Sequence, residues 1–208
     1  MKKLECELKY QLTLEDYIKL KTYMDTTAKF ISTTTHKNYY LDTKKFELNK
    51  SNVTMKLREY EDSNYELIIK SKLKNTQDNF HVKTELVVKI TPKDFKDIID
   101  NNNFVNFTKF NNHIKKELGE YLSIEKLCIL GCLTTERTLY EINPNLPNIN
   151  IDVNRYLGKE DFEIEWEGED IFNYKDIVLE IFSELGIVHL ENTYSKRNRF
   201  LTELAYTK

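Results

Sequence analysis

Residues 4–10 read Leu-Glu-Cys-Glu-Leu-Lys-Tyr, with apolar side chains at even positions and charged side chains at odd positions. Side chains two apart in a strand share a face, so this alternation predicts a β-strand with one apolar face and one charged face. The apolar face is expected to pack against a hydrophobic core, whereas the charged face takes no part in that packing.

Further stretches of the chain also have strand character. They are Asn38–Leu41, Val53–Tyr60, Tyr65–Lys72, Phe80–Ile90, Cys128–Tyr140, Asn148–Asn154 and Asp161–Glu167. Together with the first stretch they make eight predicted strands, separated by short segments with helix signals.

The helix signals are caps and periodic apolar positions. Thr13 with Asp16 resembles a capping box before Tyr17–Thr27, and Thr91-Pro92 is typical of a first helical turn before Phe95–Ile99. The other predicted elements are a helix over Asn173–Leu185 ended by Gly186, a helix over Ser195–Leu204 capped by Thr193, a weaker helix over Ile114–Tyr121 and an asparagine-rich loop over Asn101–Asn112. No long linker interrupts this order, which predicts one α+β domain over residues 1–208.

The composition excludes several classes of protein. The 208 residues include 31 Lys and Arg against 34 Asp and Glu, giving a net charge of −3, and 31% are charged. There are 40% hydrophobic residues but only 5 Gly and 3 Pro, which argues against a disordered or collagen-like chain. The near-neutral total lacks the basic excess of a duplex-DNA-binding domain, so no nucleic-acid partner is expected.

The start of the chain and its cysteines indicate a cytoplasmic location. The two N-terminal lysines are followed by charged residues instead of the apolar segment of a signal peptide. The longest apolar stretch, near Leu127–Leu130, is far below the roughly 20 residues that cross a bilayer, so no membrane partner is expected. Three cysteines without metal-ligand spacing are interpreted as reduced core residues: Cys6, Cys128 and Cys132.

The charged faces of the predicted strands are sorted by sign. The basic rows are Lys56 with Arg58 and Lys70 with Lys72, and the acidic rows are Glu5 with Glu7 and Glu163, Glu165 and Glu167. An alternating strand ordinarily turns its charged face to water, but mixed signs across strands are the more favourable arrangement there. Inward-facing rows would give a cationic wall and an anionic wall, which suit a polyanion bridged by a divalent metal.

Several motifs stand in a fixed order along the chain, beginning with the Glu-x-Glu-x-Lys signature Glu5-Cys6-Glu7-Leu8-Lys9. The others are Tyr39-Tyr40-Leu41-Asp42-Thr43, Met55-Lys56-Leu57-Arg58-Glu59, Leu67-Ile68-Ile69-Lys70, Gly131-Cys132-Leu133-Thr134-Thr135-Glu136-Arg137, Asp152 with Tyr156-Leu157-Gly158, Asp161-Phe162-Glu163-Ile164-Glu165, and Lys196-Arg197-Asn198-Arg199-Phe200. From residue 5 to about residue 200 this series resembles the CYTH family, also called triphosphate tunnel metalloenzymes. It is most similar to the family's single-domain bacterial branch.

The resemblance implies a closed eight-stranded antiparallel β-barrel, the triphosphate tunnel. Helices would pack outside it, and a C-terminal helix would lie near one mouth. The apolar positions Leu4, Cys6 and Leu8 would then face outward beneath the helices, and the charged positions of the same strand would face the lumen.

The resemblance also implies roles for individual residues. The metal ligands would be Glu5, Glu7, Asp152, Glu163 and Glu165, holding Mg²⁺ or Mn²⁺. The phosphate-binding residues would be Lys9, Lys56, Arg58, Lys70, Arg137 and Lys196. The catalytic residues would be Glu5, Glu7, Lys9, Glu85 and Lys196, with Glu85 binding metal or orienting water.

Some positions keep two interpretations or none. Lys196 either presents its ammonium to a terminal phosphate or belongs to a solvated basic helix end, and Glu167 is expected at the rim or in solvent. Lys56 stands where the family motif has arginine, which keeps the charge but loosens the geometry. No role is assigned to Lys72, Lys83, Arg155 or Arg199. The four histidines are not expected to be catalytic.

The activity that the resemblance implies is metal-dependent hydrolysis of the terminal phosphoanhydride of a triphosphate. Inorganic triphosphate is the preferred substrate, because the charged faces offer few evident aromatic or amide groups to bind a base or a thiazole. ATP and thiamine triphosphate remain alternatives, as does class IV-type adenylate cyclisation. A non-catalytic polyphosphate- or nucleotide-binding module and a charge-rich β domain with a solvated surface are the other interpretations.

Overall fold

The computed structural model describes residues 2–72, 80–101, 127–168, 174–188 and 194–207, and for residues 2–5, 72, 80–82 and 101 it describes the backbone alone. The predicted helix over residues 114–121, the predicted loop over residues 102–112 and the predicted cap Thr193 lie outside the described residues.

Eight strands make up the sheet. They are β1 (Lys2–Leu12), β2 (Lys29–Thr43), β3 (Val53–Tyr60), β4 (Tyr65–Lys72), β5 (Phe80–Ile90), β6 (Leu127–Glu141), β7 (Ile149–Tyr156) and β8 (Lys159–Glu167). Their hydrogen-bonded order is β1-β5-β4-β3-β2-β6-β7-β8, and β8 pairs antiparallel with β1. The strand order thus returns to its start, which confirms the predicted eight-stranded antiparallel barrel.

The strand bounds follow the sequence pattern closely in one part of the chain and poorly in another. The predicted bounds of β3, β4 and β5 coincide with the observed ones. By contrast β2 begins at Lys29, nine positions before the predicted Asn38. Side chains at residues 29–35 are mostly exposed on both faces, so no apolar face marks this half of the strand.

Five helices lie among the described residues. They are α1 (Leu14–Thr27), α2 (Glu47–Lys50), α3 (Pro92–Asn101), α4 (Lys175–Leu185) and α5 (Lys196–Tyr206). The four longer helices were predicted, and the short α2 was not. Asn101, assigned by sequence to a loop, is instead the last residue of α3.

Side-chain caps fix where the helices begin. The Thr13 hydroxyl accepts from the Asp16 amide at 3.1 Å and donates to the Asp16 carboxylate at 2.7 Å, which confirms the predicted capping box. For α5 the cap is Ser195, whose hydroxyl accepts from the Asn198 amide at 3.3 Å. The prediction of Thr193 in that role is therefore wrong. Gly186 ends α4 in the left-handed region, at φ 62°.

The chain groups into two compact units. Unit 1 consists of Met1–Lys3, His36–Lys72 and Thr84–Leu133, and unit 2 of Leu4–Thr35, Leu73–Lys83 and Thr134–Lys208. Each unit has its own hydrophobic cluster. The single domain over residues 1–208 stays a prediction.

In unit 1 the cluster joins β3 and β4 to α3. Met55 and Leu57 on β3, Leu67 and Ile69 on β4 and Phe95 on α3 are its central members. Burying such side chains contributes about 1.5–3 kcal/mol each. Because these positions are odd on β3, the even positions, which include Lys56 and Arg58, lie on the opposite face of that strand.

In unit 2 the cluster joins β1 and β8 to α1 and α4. Leu8 and Tyr10 on β1, Trp166 on β8, Met24 on α1 and Phe182 on α4 are all almost completely buried in it. The even positions of β1 and β8 are thereby used for packing beneath helices. Their odd positions, which carry the acidic rows, point to the other face of the sheet.

The helices and the cysteines bear on two further predictions from the sequence. None of the helices within the described residues is both long enough and apolar enough to span a membrane. Cys6, Cys128 and Cys132 are not disulfide-bonded, as predicted, but they are half-buried and not core residues in the strict sense.

Candidate active site

A buried cluster of carboxylates lies on the charged face of unit 2. We call Glu7, Asp152, Glu163, Glu165 and Glu167 the carboxylate cluster. Glu163 and Asp152 are 0% exposed, Glu7 is 3% and Glu165 is 4% exposed. A charged face in water would leave these groups open, so the solvated-surface interpretation is wrong for them.

Strand register brings the cluster together. In the β7–β8 pair Asp152 lies opposite Glu163, and in the β1–β8 pair Lys9 lies opposite Glu165 and Glu7 opposite Glu167. Directly opposed side chains are about 4.5–5.5 Å apart at Cβ. Like charges in such positions repel one another, so the arrangement requires cations close by.

Lys9 is one of these cations. Its Nζ lies 2.6 Å from Glu165 Oε1 and 3.4 Å from Glu7 Oε1, and its side chain is buried. Burial disfavours the ammonium, but the charges of Glu165, Glu7 and Glu163 outweigh that effect and hold the pKa of Lys9 well above its usual value. Lys9 is therefore charged throughout the physiological pH range.

Arg137 on β6 is the second cation, and it lies opposite Asp152 in the strand register. Its Nε and Nη2 donate to the two Asp152 oxygens at 2.8 and 2.6 Å, a forked pair, and Nη2 also contacts Glu165 Oε2. Burial opposes the charge of Arg137, while Asp152 and Glu165 raise its pKa well above the usual value.

Lys196, the first residue of α5, is the third cation. Its Nζ lies 2.7 Å from Asp152 Oδ2 and 2.9 Å from Glu165 Oε1, and it also contacts Glu163 Oε1. Burial lowers the pKa of Lys196, but the neighbouring carboxylates, led by Asp152, raise it to a value above normal. The alternative of a solvated basic helix end is thus wrong for Lys196.

Glu165 is the residue that Lys9, Arg137 and Lys196 share. Its burial favours the neutral acid, but the three cations, led by Lys196, push its pKa well below the usual value. The carboxylate is consequently ionised at every pH at which the protein would work.

The donor set fits Mg²⁺ or Mn²⁺. Two groups, Glu7/Glu165/Glu167 and Asp152/Glu163/Glu165, each bring a carboxylate oxygen from every member within 4.8 Å of the others. Both metals prefer oxygen ligands, and Mg²⁺ usually keeps several waters beside one or two carboxylates. Glu167, expected at the rim or in solvent, belongs to the first group although its side chain is 36% exposed.

Four further predicted residues, Lys56, Arg58, Lys70 and Glu85, lie in unit 1. Lys56 and Arg58 share a face of β3, and Lys56 is buried. Arg58 Nε donates to Asn38 Oδ1 at 3.0 Å. Lys70 Nζ lies 3.3 Å from Glu85 Oε1, so the predicted phosphate ligand and the predicted water-orienting carboxylate are an ion pair. Glu85 is in neither carboxylate group.

Two predicted side chains fall outside the described residues. The backbone of Glu5 lies in β1 and that of Lys72 in β4, but their side chains are not among those described.

Of the histidines, His36 is buried and makes a ring contact with Tyr60 at 6.1 Å. His113 and His189 lie outside the described residues.

Sequence reasoning missed an amide and an aromatic group beside Arg58. Asn38 lies opposite Arg58 and His36 opposite Tyr60 in the β2–β3 pair. The Arg58 guanidinium stands 5.7 Å from the centroid of the Tyr60 ring. The expectation that the charged faces offer few aromatic or amide groups is therefore wrong for this part of unit 1.

It also missed the partners of Arg199 and Lys83. Arg199 Nε and Nη2 donate to the two Asp161 oxygens at 2.7 and 2.9 Å, and Lys83 Nζ lies 2.7 Å from Glu7 Oε1. Spacing indicates that Asp161 shares a strand face with Glu163 and that Arg199 shares a helix face with Lys196. It could not show that these two faces meet.

Comparison with known proteins agrees with this architecture. The family model described as the CYTH domain matches residues 3–200. Over 201 residues the chain is 25% identical to YjbK of Bacillus subtilis strain 168, described as a candidate triphosphatase, covering 96% of this chain and 95% of the relative.

Two solved structures share the fold. HpAC1 from Hippeastrum, described as a candidate adenylyl cyclase with a dominant triphosphatase activity, superposes with a TM-score of 0.82 at 20% identity and 95% coverage of both chains. A candidate adenylate cyclase from Bacillus halodurans superposes with a TM-score of 0.75 at 23% identity, covering 96% of this chain and 98% of the other.

Proposed function

Because the chain belongs to the CYTH domain family, we propose that it is a divalent-metal-dependent enzyme that hydrolyses the terminal phosphoanhydride bond of a triphosphate. Inorganic triphosphate is the proposed substrate. The descriptions of YjbK as a candidate triphosphatase and of HpAC1 as having a dominant triphosphatase activity support this reaction type. A cytoplasmic location remains a prediction from the sequence.

The observation that carries the proposal is the buried group Asp152/Glu163/Glu165 with its three cations. Carboxylates without a role in binding rarely converge in a protein interior, since each one must be neutralised there. Here Lys9, Arg137 and Lys196 provide that neutralisation. The same lysines and arginine are the side chains that a phosphate group would attract.

Metal and substrate would replace these internal ion pairs, the metal by binding the carboxylates and the substrate by binding the cations. Mg²⁺ or Mn²⁺ held by Asp152, Glu163 and Glu165, with Glu5 and Glu7 as further ligands, would add positive charge beside the phosphate oxygens. Lys9, Arg137 and Lys196 would then turn from carboxylate oxygens to phosphate oxygens. Ammonium and guanidinium groups bind either kind of oxygen with similar geometry.

The basic side chains of unit 1 complete the proposed phosphate-binding set. Arg58 offers a planar fork of donors, whereas Lys56 and Lys70 offer movable point charges. Positioning and neutralisation of charge account for most of the catalysis of phosphoryl transfer. These three residues are therefore proposed to bind the triphosphate and to take no part in proton transfer.

The proposed chemical step is attack by water in line with the leaving group. The water oxygen forms a bond to the terminal phosphorus, the bond from phosphorus to the bridging oxygen breaks, and inorganic triphosphate yields pyrophosphate and phosphate. Glu85 is proposed to orient the water and accept its proton. Lys70 is the ion-pair partner of this carboxylate, with Nζ 3.3 Å from Glu85 Oε1.

The test is phosphate release from tripolyphosphate, ATP and thiamine triphosphate by the purified protein with Mg²⁺ or Mn²⁺, and with EDTA as a control. We expect metal-dependent release, fastest from tripolyphosphate. Glu163→Gln should abolish turnover, while Glu160→Gln, an exposed carboxylate on the same strand, should leave it unchanged. Absence of release from all three substrates would make the hydrolase proposal wrong, and tight binding without turnover would favour a binding module.

A second candidate is a nucleotide reaction, either ATP hydrolysis or adenylate cyclisation. The grouping of His36, Asn38 and Tyr60 beside Arg58 favours it, because an aromatic ring and an amide can stack on and hydrogen-bond to a base. The products separate the possibilities: cyclic AMP with pyrophosphate indicates cyclisation, and ADP with phosphate indicates hydrolysis. Tyr60→Leu should lower kcat/KM for ATP and leave tripolyphosphate unaffected if this group binds the base.

A further inference from the structure

Arg199 on α5 is a buried arginine to which the proposed reaction gives no role. It is 9% exposed, and all of its donor nitrogens have partners. Nε and Nη2 donate to Asp161, Nη2 also donates to Glu163 Oε2 at 2.7 Å, and Nη1 donates to the Tyr194 carbonyl at 2.6 Å. The guanidinium plane is thus fixed on three sides.

Asp161, the partner of Arg199, also accepts hydrogen bonds from several side chains. Besides the two Arg199 bonds it accepts from the Tyr156 hydroxyl at 2.7 Å and from Asn154 Nδ2 at 3.0 Å. Asn154 is fixed in turn by the Thr135 hydroxyl, which donates to its Oδ1 at 2.8 Å. Burial favours the neutral acid, but these donors, led by Arg199, lower the pKa of Asp161 below its usual value.

The two oxygens of Glu163 are divided between the two cations of α5. Oε2 accepts from Arg199, and Oε1 contacts Lys196 Nζ. Residues three apart on a helix share a face, so α5 presents both cations to the same carboxylate. When Lys196 turns toward phosphate, the bond from Arg199 still fixes the Glu163 carboxylate plane and the direction of Oε1.

We propose that Arg199 and Asp161 are positioning residues that hold Glu163 in the orientation required to bind a divalent metal through Oε1. The inference rests on the proposed function, because it needs the metal site. Partners that orient a metal ligand typically contribute about 10–100-fold to metal affinity or activity. An ion pair that served folding alone would leave metal affinity unchanged in the folded protein.

The experiment is Mn²⁺ binding by isothermal titration calorimetry, at a temperature below the unfolding transition of each variant. Arg199→Met should weaken Mn²⁺ binding about 10–100-fold. Arg199→Lys, which keeps the charge but cannot bridge Asp161 and Glu163 with a fork, should fall between that variant and the natural protein. Arg155→Met removes ion pairs to exposed glutamates only and should leave affinity unchanged.

The outcomes are distinguishable. If the natural protein binds no Mn²⁺, the proposed function fails and this inference with it. If the natural protein binds and folded Arg199→Met binds within twofold of it, the positioning role alone is wrong. Should Arg199→Met not fold, Asp161→Asn decides, because it has nearly the same shape but loses the charge and one of the two oxygens that accept from Arg199. Weaker Mn²⁺ binding then supports the inference, and unchanged binding overturns it.

Discussion

The carboxylate cluster of unit 2 and the basic face of β3 in unit 1 stabilise their charged side chains in different ways. In the cluster, Lys9, Arg137 and Lys196 each contact carboxylates at 2.6–2.9 Å. On β3, Arg58 donates to the neutral Asn38 at 3.0 Å and approaches the Tyr60 hydroxyl at 3.4 Å. The cations of the cluster are held by ion pairs, whereas Arg58 is held by hydrogen bonds to neutral groups, with Glu66 opposite it on β4.

The difference predicts which property each region controls. Removal of one member of a buried, mutually neutralised group leaves its partners uncompensated, so changes in the cluster should affect stability as well as activity. Removal of a cation whose partners are neutral leaves only a hydrogen-bond acceptor unpaired. Changes on β3 should therefore affect substrate binding with little cost to stability.

The largest effect is expected for Glu165→Gln. The substitution keeps the shape but leaves Lys9, Arg137 and Lys196 without their shared charge, which should lower the free energy of unfolding by about 3–5 kcal/mol. Activity should also fall, by roughly 10²–10³-fold. Urea unfolding and phosphate release measure the two effects, and a variant as stable as the natural protein would show that the cluster is not a neutralised unit.

Arg58→Met should produce the opposite combination. Loss of the fork to phosphate should cost about 1.5–3 kcal/mol of binding to the transition state, which is roughly 10–100-fold in kcat/KM. The unfolding midpoint should change little. If Arg58→Met destabilises the protein as much as Glu165→Gln does, the predicted difference between the two regions is wrong.

The free energy of unfolding should change little between about pH 5 and about pH 10, and it should decrease at lower and at higher pH. Glu165 and Asp161 have lowered pKa values in the folded protein, so their stabilisation is complete above about pH 5 and is lost as the pH falls. Lys9 has a raised pKa, so its contribution is complete below about pH 10 and is lost only at higher pH.

Glu165→Gln sharpens that expectation. Each unit by which a pKa differs between the folded and the unfolded protein corresponds to about 1.4 kcal/mol. The free energy of unfolding of the variant should therefore decrease less between pH 5 and pH 2 than that of the natural protein. Unfolding measured at several pH values tests this, with Glu160→Gln as the matched exposed control. Parallel curves for the natural protein and Glu165→Gln would contradict the lowered pKa of Glu165.

The smallest effect is expected for Lys56→Arg. The substitution gives β3 the arginine of the family motif and adds a second donor in a fixed plane. KM for tripolyphosphate should fall by a few-fold, with kcat and stability little changed. Steady-state kinetics measure it, and a raised KM would indicate that Lys56 binds in a pocket too small for the larger head group.

The parts of the fold that the sequence could predict are those with two unlike faces. β3 and β4 pack one face in the core of unit 1, so their apolar periodicity marks both ends. Residues 29–35 of β2 have no buried face and left no pattern to find. The short α2 is held by Asp42, whose carboxylate accepts from the Leu48 and Asn49 amides at 2.9 and 3.0 Å. The spacing of apolar residues gives no sign of such a contact.

The candidate site was predictable for a similar reason. The i, i+2 spacing on a strand identified Glu163 and Glu165 as neighbours, and the structure places Lys196 against both. Spacing within one element cannot show which elements meet, so the link from Arg199 to Asp161 and Glu163 was missed. Nor could it show that Lys83 would pair with Glu7.

The central claim is that the buried carboxylates of unit 2 hold the catalytic metal. The most direct measurement is a crystal structure of the protein soaked with Mn²⁺ and tripolyphosphate, with anomalous scattering used to locate manganese. The account predicts an anomalous peak bound by oxygens of Asp152, Glu163 and Glu165, with Lys196 turned from these carboxylates to a phosphate oxygen. Manganese bound elsewhere, with Lys196 still on Asp152 and Glu165, would contradict it.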